Sequence, residues 1–151
     1  MTGSNAPPRV VDADACERAV SEPELIEEIA NGFIAYSGGN VIVPPVGHLA
    51  LTEPEGDVHI KYGYVRGGEV FVVKVAAGVP ANAALGLPTG DGCMLVFSRG
   101  TALLLAVLLD RARLTDIRTA AAGAVAARAL ASRTLSCIGV IGSGVQARLQ
   151  A

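Results

Sequence analysis

An apolar run that leads directly into a glycine turn is the feature that most constrains the fold of this chain. Residues 135–141 are mostly apolar and β-branched in part, which predicts a buried parallel strand. The run continues into Gly142-Ser143-Gly144-Val145-Gln146-Ala147, which fits the G-x-G-x-x-G/A pattern between a strand and a helix. In that pattern the first glycine allows a tight turn, the second lets backbone amides approach a diphosphate, and the third position packs the helix against the strand. The run and the turn therefore predict the opening of a dinucleotide-binding fold.

The turn also names candidate cofactor-binding residues. We expect Gly142, Gly144, Val145 and Gln146 to face the diphosphate of NAD or NADP, because a helix N-terminus offers unpaired N–H groups to an anion. The acidic residue that holds the ribose in such folds follows about 20 positions later, beyond Ala151. The choice between NAD and NADP therefore stays open. We expect the Rossmann domain to be incomplete and NAD(P)H not to saturate the chain below millimolar concentration.

Composition excludes several classes of partner. The chain has 51% hydrophobic residues and a net charge of -2, which is typical of a globular domain and gives no bias towards nucleic acid or anionic membrane. Its longest apolar run, residues 102–109, is far shorter than the roughly 20 residues that span a bilayer. The three cysteines are widely spaced, which favours free thiols in a reducing cytoplasm. His48 and His59 are isolated in sequence and lack metal-ligand spacing, so no metal site is predicted.

Local signals predict a strand-rich domain of the α/β class. Ser21 and Glu24 form a capping box before residues of helical periodicity, and a Ser-Gly-Gly-Asn sequence ends that helix at 37–40. The predicted strands are 41–43, a hairpin of 58–65 with 70–76, and a second hairpin of 93–97 with 103–109. The last of these strands is apolar on both faces, which predicts burial on both sides.

The remaining boundaries follow from composition. We expect a disordered leader over residues 1–9, a substrate-binding and dimerisation domain over 10–114, a connecting helix over 115–134, and the incomplete Rossmann domain over 135–151. The connecting helix is rich in alanine, a strong helix former, and Thr115 or Asp116 can cap it.

Three blocks, taken together and in this order, resemble the ornithine cyclodeaminase/mu-crystallin family. They are HIKYGYVRGGEVFVVKVAAG at 59–78, GLPTGDGCMLVF at 86–97, and LTDIRTAAAGAVAARALA with IGVIGSGVQARLQ within 114–150. The resemblance implies an N-terminal α/β domain that binds substrate and forms a homodimer, followed by a Rossmann domain that binds NAD(P). It implies hydride transfer on a small amino acid or cyclic imino acid, as in amino-acid cyclodeamination or ketimine reduction.

The resemblance also implies roles for five residues. Lys74 matches the family's active-site lysine, which holds the substrate carboxylate and assists proton transfer; the alternative is a lysine on the solvent face of an edge strand. Arg118 and Thr119 match the RTAAA motif and would bind a substrate carboxylate or a cofactor phosphate; an exposed arginine and a threonine bonded to its own helix are the alternatives. Lys61 matches a position near the substrate pocket, and Thr89 one near the nicotinamide. Lys61 is equally compatible with a solvated strand residue, and Thr89 with a simple turn.

The chain also departs from the family pattern. Residues 43–49 read VPPVGHL, without the arginine that many members carry there, which puts ornithine as the substrate in doubt. The family's catalytic aspartate belongs to the later Rossmann half, so we expect no activity from this chain alone. Three hypotheses remain: part of an NAD(P)-dependent cyclodeaminase-like enzyme, a non-catalytic NADPH and small-ligand binder of the mu-crystallin type, and a standalone dimerisation module. Lys74 together with Arg118 favours the enzyme, because a dimerisation module needs neither.

Overall fold

A computed structural model of the chain describes residues 6–151 and confirms the α/β class. Its strands are β1 (Arg9–Asp12), β2 (Val41–Ile42), β3 (Gly47–Thr52), β4 (Glu55–Val65), β5 (Val70–Gly78), β6 (Gly90–Ser98) and β7 (Leu104–Leu109). Its helices are α1 (Ala13–Arg18), α2 (Glu22–Ser37), α3 (Arg113–Leu130) and α4 (Val145–Leu149), with a 3-10 helix at Pro80–Leu85. None of the helices in this described part is long and apolar enough to cross a membrane.

The described strands form one sheet in the order β1-β7-β6-β5-β4-β2, with β3 also paired to β4. All pairs are antiparallel except β1 with β7. Both predicted hairpins are confirmed, β4 with β5 and β6 with β7. Gly67 supports the first hairpin, since it has a φ of 80° that a residue with a side chain rarely adopts.

The register assigns each side chain of the sheet to one of two faces. Directly paired residues lie on the same face, and neighbours along a strand lie on opposite faces. One row across the sheet contains Lys61, Lys74, Met94, Leu108 and Val11. We call the face with this row the helix face, because Lys74 reaches α3 from it.

The opposite face, which we call the open face, is apolar. The adjacent row on it contains Tyr62, Val73, Leu95, Val107 and Val10. Two of these side chains are substantially exposed, Tyr62 at 43% and Val10 at 67%. Among the described residues only Cys16, Ala121 and Asp110 are fully buried. The sheet therefore has a helix layer on one side and a largely uncovered apolar surface on the other.

The first long helix matches its sequence signals. α2 spans Glu22–Ser37, and Ser21 is its N-cap, although the Ser21 hydroxyl bonds the carboxylate of Glu24 rather than a backbone amide. Gly38 is the C-cap of the helix, and Gly39 follows with a φ of 74°. α2 then packs along α3, where Arg128 pairs with Glu27.

The start of α3 differs from the prediction. The helix begins at Arg113, and neither Thr115 nor Asp116 is its cap. The carboxylate of Asp110 instead accepts a hydrogen bond from the backbone N–H of Leu114 at 3.1 Å, and only 1% of Asp110 is exposed. Arg111 and Ala112 link β7 to α3 with φ values of 50° and 64°. This left-handed link folds the chain back so that the buried carboxylate satisfies a helix donor that would otherwise lack a partner.

The first and third strands were not predicted from the sequence. β1 begins at Arg9, the last residue of the predicted leader, while residues 1–5 of that leader lie outside the described residues. β3 was not predicted, although the Glu-Pro-Glu-Gly sequence at 53–56 that follows it is a turn signal. Leu109 at the end of β7 is 45% exposed, so the predicted burial of that strand on both faces is wrong.

The strand predicted at 135–141 is not formed. Its residues lie in irregular backbone, and Ile138 and Ile141 are 67% and 103% exposed. A parallel strand draws its stability from neighbouring strands and covering helices. No strand within residues 6–151 pairs with this segment, so its apolar composition does not by itself make it extended.

Candidate functional site

The helix face brings together the two lysines of the chain. The sequence contains only Lys61 and Lys74, and the β4–β5 register makes them direct cross-strand partners. Like charges directly opposite in a sheet are destabilising. This pairing therefore creates a cationic position on the sheet that packing does not require.

Lys74 is the better enclosed of the two lysines. Its Nζ donates a hydrogen bond to Oγ1 of Thr115 in the first turn of α3 at 2.7 Å. The pKa of Lys74 is lowered from 10.5, first because burial disfavours the charged amine, and then because Arg118 and Lys61 lie nearby. Asp110 and Asp116 act in the opposite direction. Lys74 is therefore held between the sheet and α3, and is not the solvent-facing edge lysine of the alternative interpretation.

Arg118 belongs to the same cluster. It lies in the second turn of α3, because the helix begins at Arg113. Its side chain is exposed, and its charge lowers the pKa of Lys74. Lys61 is exposed as well. Two accessible cations next to one partly buried amine form a surface suited to a carboxylate, whose two oxygens accept charge-assisted hydrogen bonds.

Two acidic residues complete this cluster. Asp110 is buried at the start of α3, and Asp116 accepts a hydrogen bond from Nε2 of Gln146 on its backbone oxygen at 3.2 Å. Sequence reasoning missed Asp110 as well as the role of Thr115 as the partner of Lys74. The local signal, a Thr-Asp pair at a helix start, indicated a cap and gave no sign of the contact with β5.

Two residues predicted to contact the cofactor have local partners. The Thr119 hydroxyl donates to the carbonyl oxygen of Thr115 at 2.7 Å, which is the bond within its own helix that the sequence left as the alternative. Thr89 is exposed, and its carbonyl accepts a hydrogen bond from the backbone of Val79. It lies five positions before Met94, the partner of Lys74, which corresponds to about 17 Å along an extended strand. The structure therefore separates Thr89 from the lysine cluster.

The glycine turn at residues 142–144 leaves its backbone accessible. Gly142 has a φ of 104°, and a Cβ placed on Gly142 or Gly144 would meet no atom within 4 Å. Gly144 is the N-cap of α4, and Val145 is its first residue. The open space beside these two glycines is compatible with a diphosphate, such as that of NAD(P), close to the backbone.

α4 is attached to α3 rather than to a strand. Gln146 bonds Asp116, and the Gln150 side chain lies over Gly123. Gln146, which is predicted to face the cofactor, donates its side-chain amide to Asp116 on α3 and so connects the glycine turn to the helix that carries Arg118.

The histidines are not isolated, contrary to the expectation from sequence. β3 pairs with β4 so that His48 lies opposite His59, and their rings stack with centroids 5.0 Å apart. Nε2 of His59 lies 2.7 Å from a carboxylate oxygen of Asp57. The missing signal was the register of β3, a strand that the sequence did not predict.

Comparison with known proteins identifies the family to which this chain is similar. The model of the ornithine cyclodeaminase/mu-crystallin family matches residues 9–151. A putative dehydrogenase of Rhizobium meliloti is 42% identical over 127 residues, which cover 84% of this chain and 39% of that protein.

Two solved structures have the same architecture. An archaeal alanine dehydrogenase dimer with bound NAD superposes with a TM-score of 0.86 at 30% identity, covering 95% of this chain and 43% of that one. The Thermococcus litoralis Δ1-pyrroline-2-carboxylate reductase, in complex with NADH and L-proline, superposes with a TM-score of 0.87 at 29% identity, covering 94% and 44%.

The chain belongs to the ornithine cyclodeaminase/mu-crystallin family. It spans about two fifths of the length of the relatives that it matches.

The surroundings of Lys74 predict an unusual titration. After reductive methylation with ¹³C-formaldehyde, the two lysines should give two side-chain signals, and the Lys74 signal should titrate at the lower pH. Arg118→Gln should raise the pKa of Lys74 towards its ordinary value, because it removes the strongest nearby cation. Lys61→Gln should act in the same direction but less.

Arg128→Gln, on the far end of the same helix, is the matched control and should leave the Lys74 signal unchanged. Two lysines that titrate together, or an Arg118→Gln variant that does not move the Lys74 pKa, would contradict this description of the cluster.

Proposed function

We propose that this chain provides the substrate side of an NAD(P)-dependent enzyme that acts on a small amino acid or cyclic imino acid. The observation that carries the proposal is the cluster in which Lys61 and Arg118 lie near Lys74, the lysine that is bonded to Thr115. A carboxylate bound there would relieve the repulsion among three cations, so the cluster favours an anionic ligand by simple electrostatics.

Each residue has a distinct part in this proposal. Arg118, with its planar guanidinium, grips the substrate carboxylate, and Lys61 adds a second positive charge from the sheet. Lys74, whose pKa is lowered, can release and recover a proton at its Nζ more readily than an exposed lysine. Thr115 fixes the position of that amine through its hydroxyl.

The cofactor enters the proposal through the glycine turn. Gly142 and Gly144, with the amide of Val145, would hold the diphosphate of NAD or NADP, and Arg118 and Thr119 lie on the helix that Gln146 joins to that turn. A bound nicotinamide supplies or accepts the hydride. The alanine dehydrogenase and the pyrroline-carboxylate reductase that resemble this chain are structures with NAD and NADH, which supports the assignment.

The open face supports a second element of the proposal, pairing with another copy of this chain. Its exposed apolar side chains include Tyr62, Ile60 and Leu109, and Phe71 stacks on Phe97 beside them. Burial of such a surface is favourable by about 25 cal/mol per Å². The similar archaeal alanine dehydrogenase is described as a dimer.

A cytoplasmic location is part of the same proposal. The three cysteines are free in the structure, as is typical of proteins in a reducing compartment.

A binding protein of the mu-crystallin type is the alternative. It would use the same cations and the same glycine turn, without turnover. Oxidation of NADH in the presence of a cyclic ketimine, measured on a chain that carries the complete nucleotide-binding domain, separates the two, because the binder takes up both ligands and consumes neither.

The carboxylate site can be tested on this chain directly. Pyrrole-2-carboxylate, a planar analogue of a cyclic imino acid, should shift the ¹³C-methyl signal of Lys74 saturably at millimolar concentration. Arg118→Gln should weaken the binding by about tenfold, because a hydrogen bond between charged groups contributes about 1.5 kcal/mol or more.

Pyrrole-2-carboxamide is the control ligand, and Arg128→Gln is the control variant. An equal response to the carboxamide, or full binding by Arg118→Gln, would rule out a carboxylate site at this cluster.

Pairing through the open face predicts a dimer in solution. Sedimentation equilibrium should show a species of twice the monomer mass. The Tyr62→Asp variant should be monomeric, because the substitution places a charge within the apolar contact. Leu85→Asp, at an exposed position of the 3-10 helix, is the matched control and should remain dimeric. A monomeric wild-type chain at high micromolar concentration, or dissociation by both variants alike, would contradict the assignment of this face.

A further inference from the structure

A cluster of metal-ligating side chains lies on the helix face beyond the lysine pair. His48 on β3 is the cross-strand partner of His59 on β4, and Asp57 lies two positions before His59 on the same face. The ligand atoms of these three residues all lie within 4.8 Å of one another. The chain contains only these two histidines, and the fold places them side by side.

The distances suit a small divalent transition metal. Zinc binds histidine nitrogen and carboxylate oxygen at about 2.1 Å, so donors in a tetrahedral site are about 3.4 Å apart. Nε2 of His59 and the Asp57 carboxylate are already closer than this, at 2.7 Å, because they share a hydrogen bond. The stacked rings of His48 and His59 are inclined by only 28°, and rotations about their side-chain bonds can bring both rings towards one ion.

Small residues on the neighbouring strands leave room for this set. Asp57 pairs with Gly78 and His59 pairs with Ala76, and the next strand continues with Gly92 beside Ala76. A Cβ on Gly78 would lie 3.2 Å from Oδ1 of Asp57, so a larger residue there would crowd the carboxylate. The ligands are partly exposed and therefore accessible from solvent, with Asp57 and His59 side chains 48% and 41% accessible.

We infer that His48, His59 and Asp57 form a binding site for a divalent transition metal ion, of which Zn²⁺ fits the ligand set best. Zinc, nickel and copper bind well to two imidazoles and a carboxylate. Magnesium and calcium prefer oxygen ligands alone and do not match this set. Three protein ligands leave a fourth tetrahedral position for water or for an anionic oxygen of a ligand. The site lies on the same face as Lys61, two positions or about 7 Å further along β4. This inference stands independently of the proposed enzyme function.

Direct metal titration tests the inference. The chain would carry Cys93→Ser and Cys137→Ser, since these thiols are not fully buried and would bind zinc themselves. Competition with a chromophoric chelator should show one Zn²⁺ per chain with micromolar affinity. The ¹H signals of both imidazole rings should shift together as Zn²⁺ is added.

Matched variants locate the ion. His48→Ala and His59→Ala should each weaken Zn²⁺ binding by at least about tenfold, which corresponds to about 1.4 kcal/mol, and Asp57→Asn should also weaken it. Asp91→Asn, at an exposed aspartate on β6, is the control and should bind as the parent does. His48→Ala changes an exposed side chain, and circular dichroism will verify that the variant remains folded.

Three results would overturn the inference. They are no saturable Zn²⁺ binding by the folded parent, equal binding by the His48→Ala variant, and a shift of only one histidine ring. In each case the three residues would form only a stacked histidine pair with a hydrogen bond to Asp57, and no metal site.

Discussion

The hydrogen bond between Lys74 and Thr115 is the contact on which the rest of the site depends. It joins the middle of the sheet to the first turn of α3 across 41 positions of sequence. Arg118 on the same helix and Lys61 on the neighbouring strand both lower the pKa of the Lys74 amine. The sheet supplies two charges in register and the helix supplies a third, an arrangement that local packing disfavours and an anionic ligand stabilises.

The two faces of the sheet differ in their chemistry. Because neighbouring residues alternate between faces, Lys61 and Tyr62, or Lys74 and Val73, place a charge on one side and an apolar group on the other. The helix face carries the cations and the histidine pair, whereas the open face carries exposed aromatic and aliphatic side chains. The proposed function would therefore place substrate contacts and subunit contacts on opposite faces of one sheet.

Much of the fold could be predicted because its signals are local. The hairpin turn at Gly67 and the helix beginning at Ser21 depend on residues within a few positions of each other, and both are found. The strand prediction for residues 135–141 was wrong for the opposite reason. A parallel strand is stabilised by neighbouring strands and helices that the segment itself does not specify. The start of α3 depends on Asp110, whose buried carboxylate acts from outside the helix through two residues with positive φ.

Some residues of the candidate site could likewise be predicted from the sequence, and others could not. Lys74, Lys61 and Arg118 were identified through resemblance to a family, and the structure places them in one cluster. Thr115 as the partner of Lys74 was missed, because the contact joins a strand to a distant helix. The pairing of His48 with His59 was missed because it depends on the register of β3, which sequence spacing does not reveal.

The central claim is that Lys74 is kept at this position for binding, although it destabilises the fold. Urea unfolding of a Lys74→Met variant tests it most directly. The claim predicts a variant more stable than the parent by about 1 kcal/mol at neutral pH, because burial and neighbouring cations disfavour the charged amine. Since the folded pKa is lowered, this gain should be complete below that pKa and should shrink as the pH rises towards 10.5, where the unfolded lysine also loses its proton. A Lys74→Met variant that is less stable than the parent at neutral pH would contradict the claim and make Lys74 a structural residue.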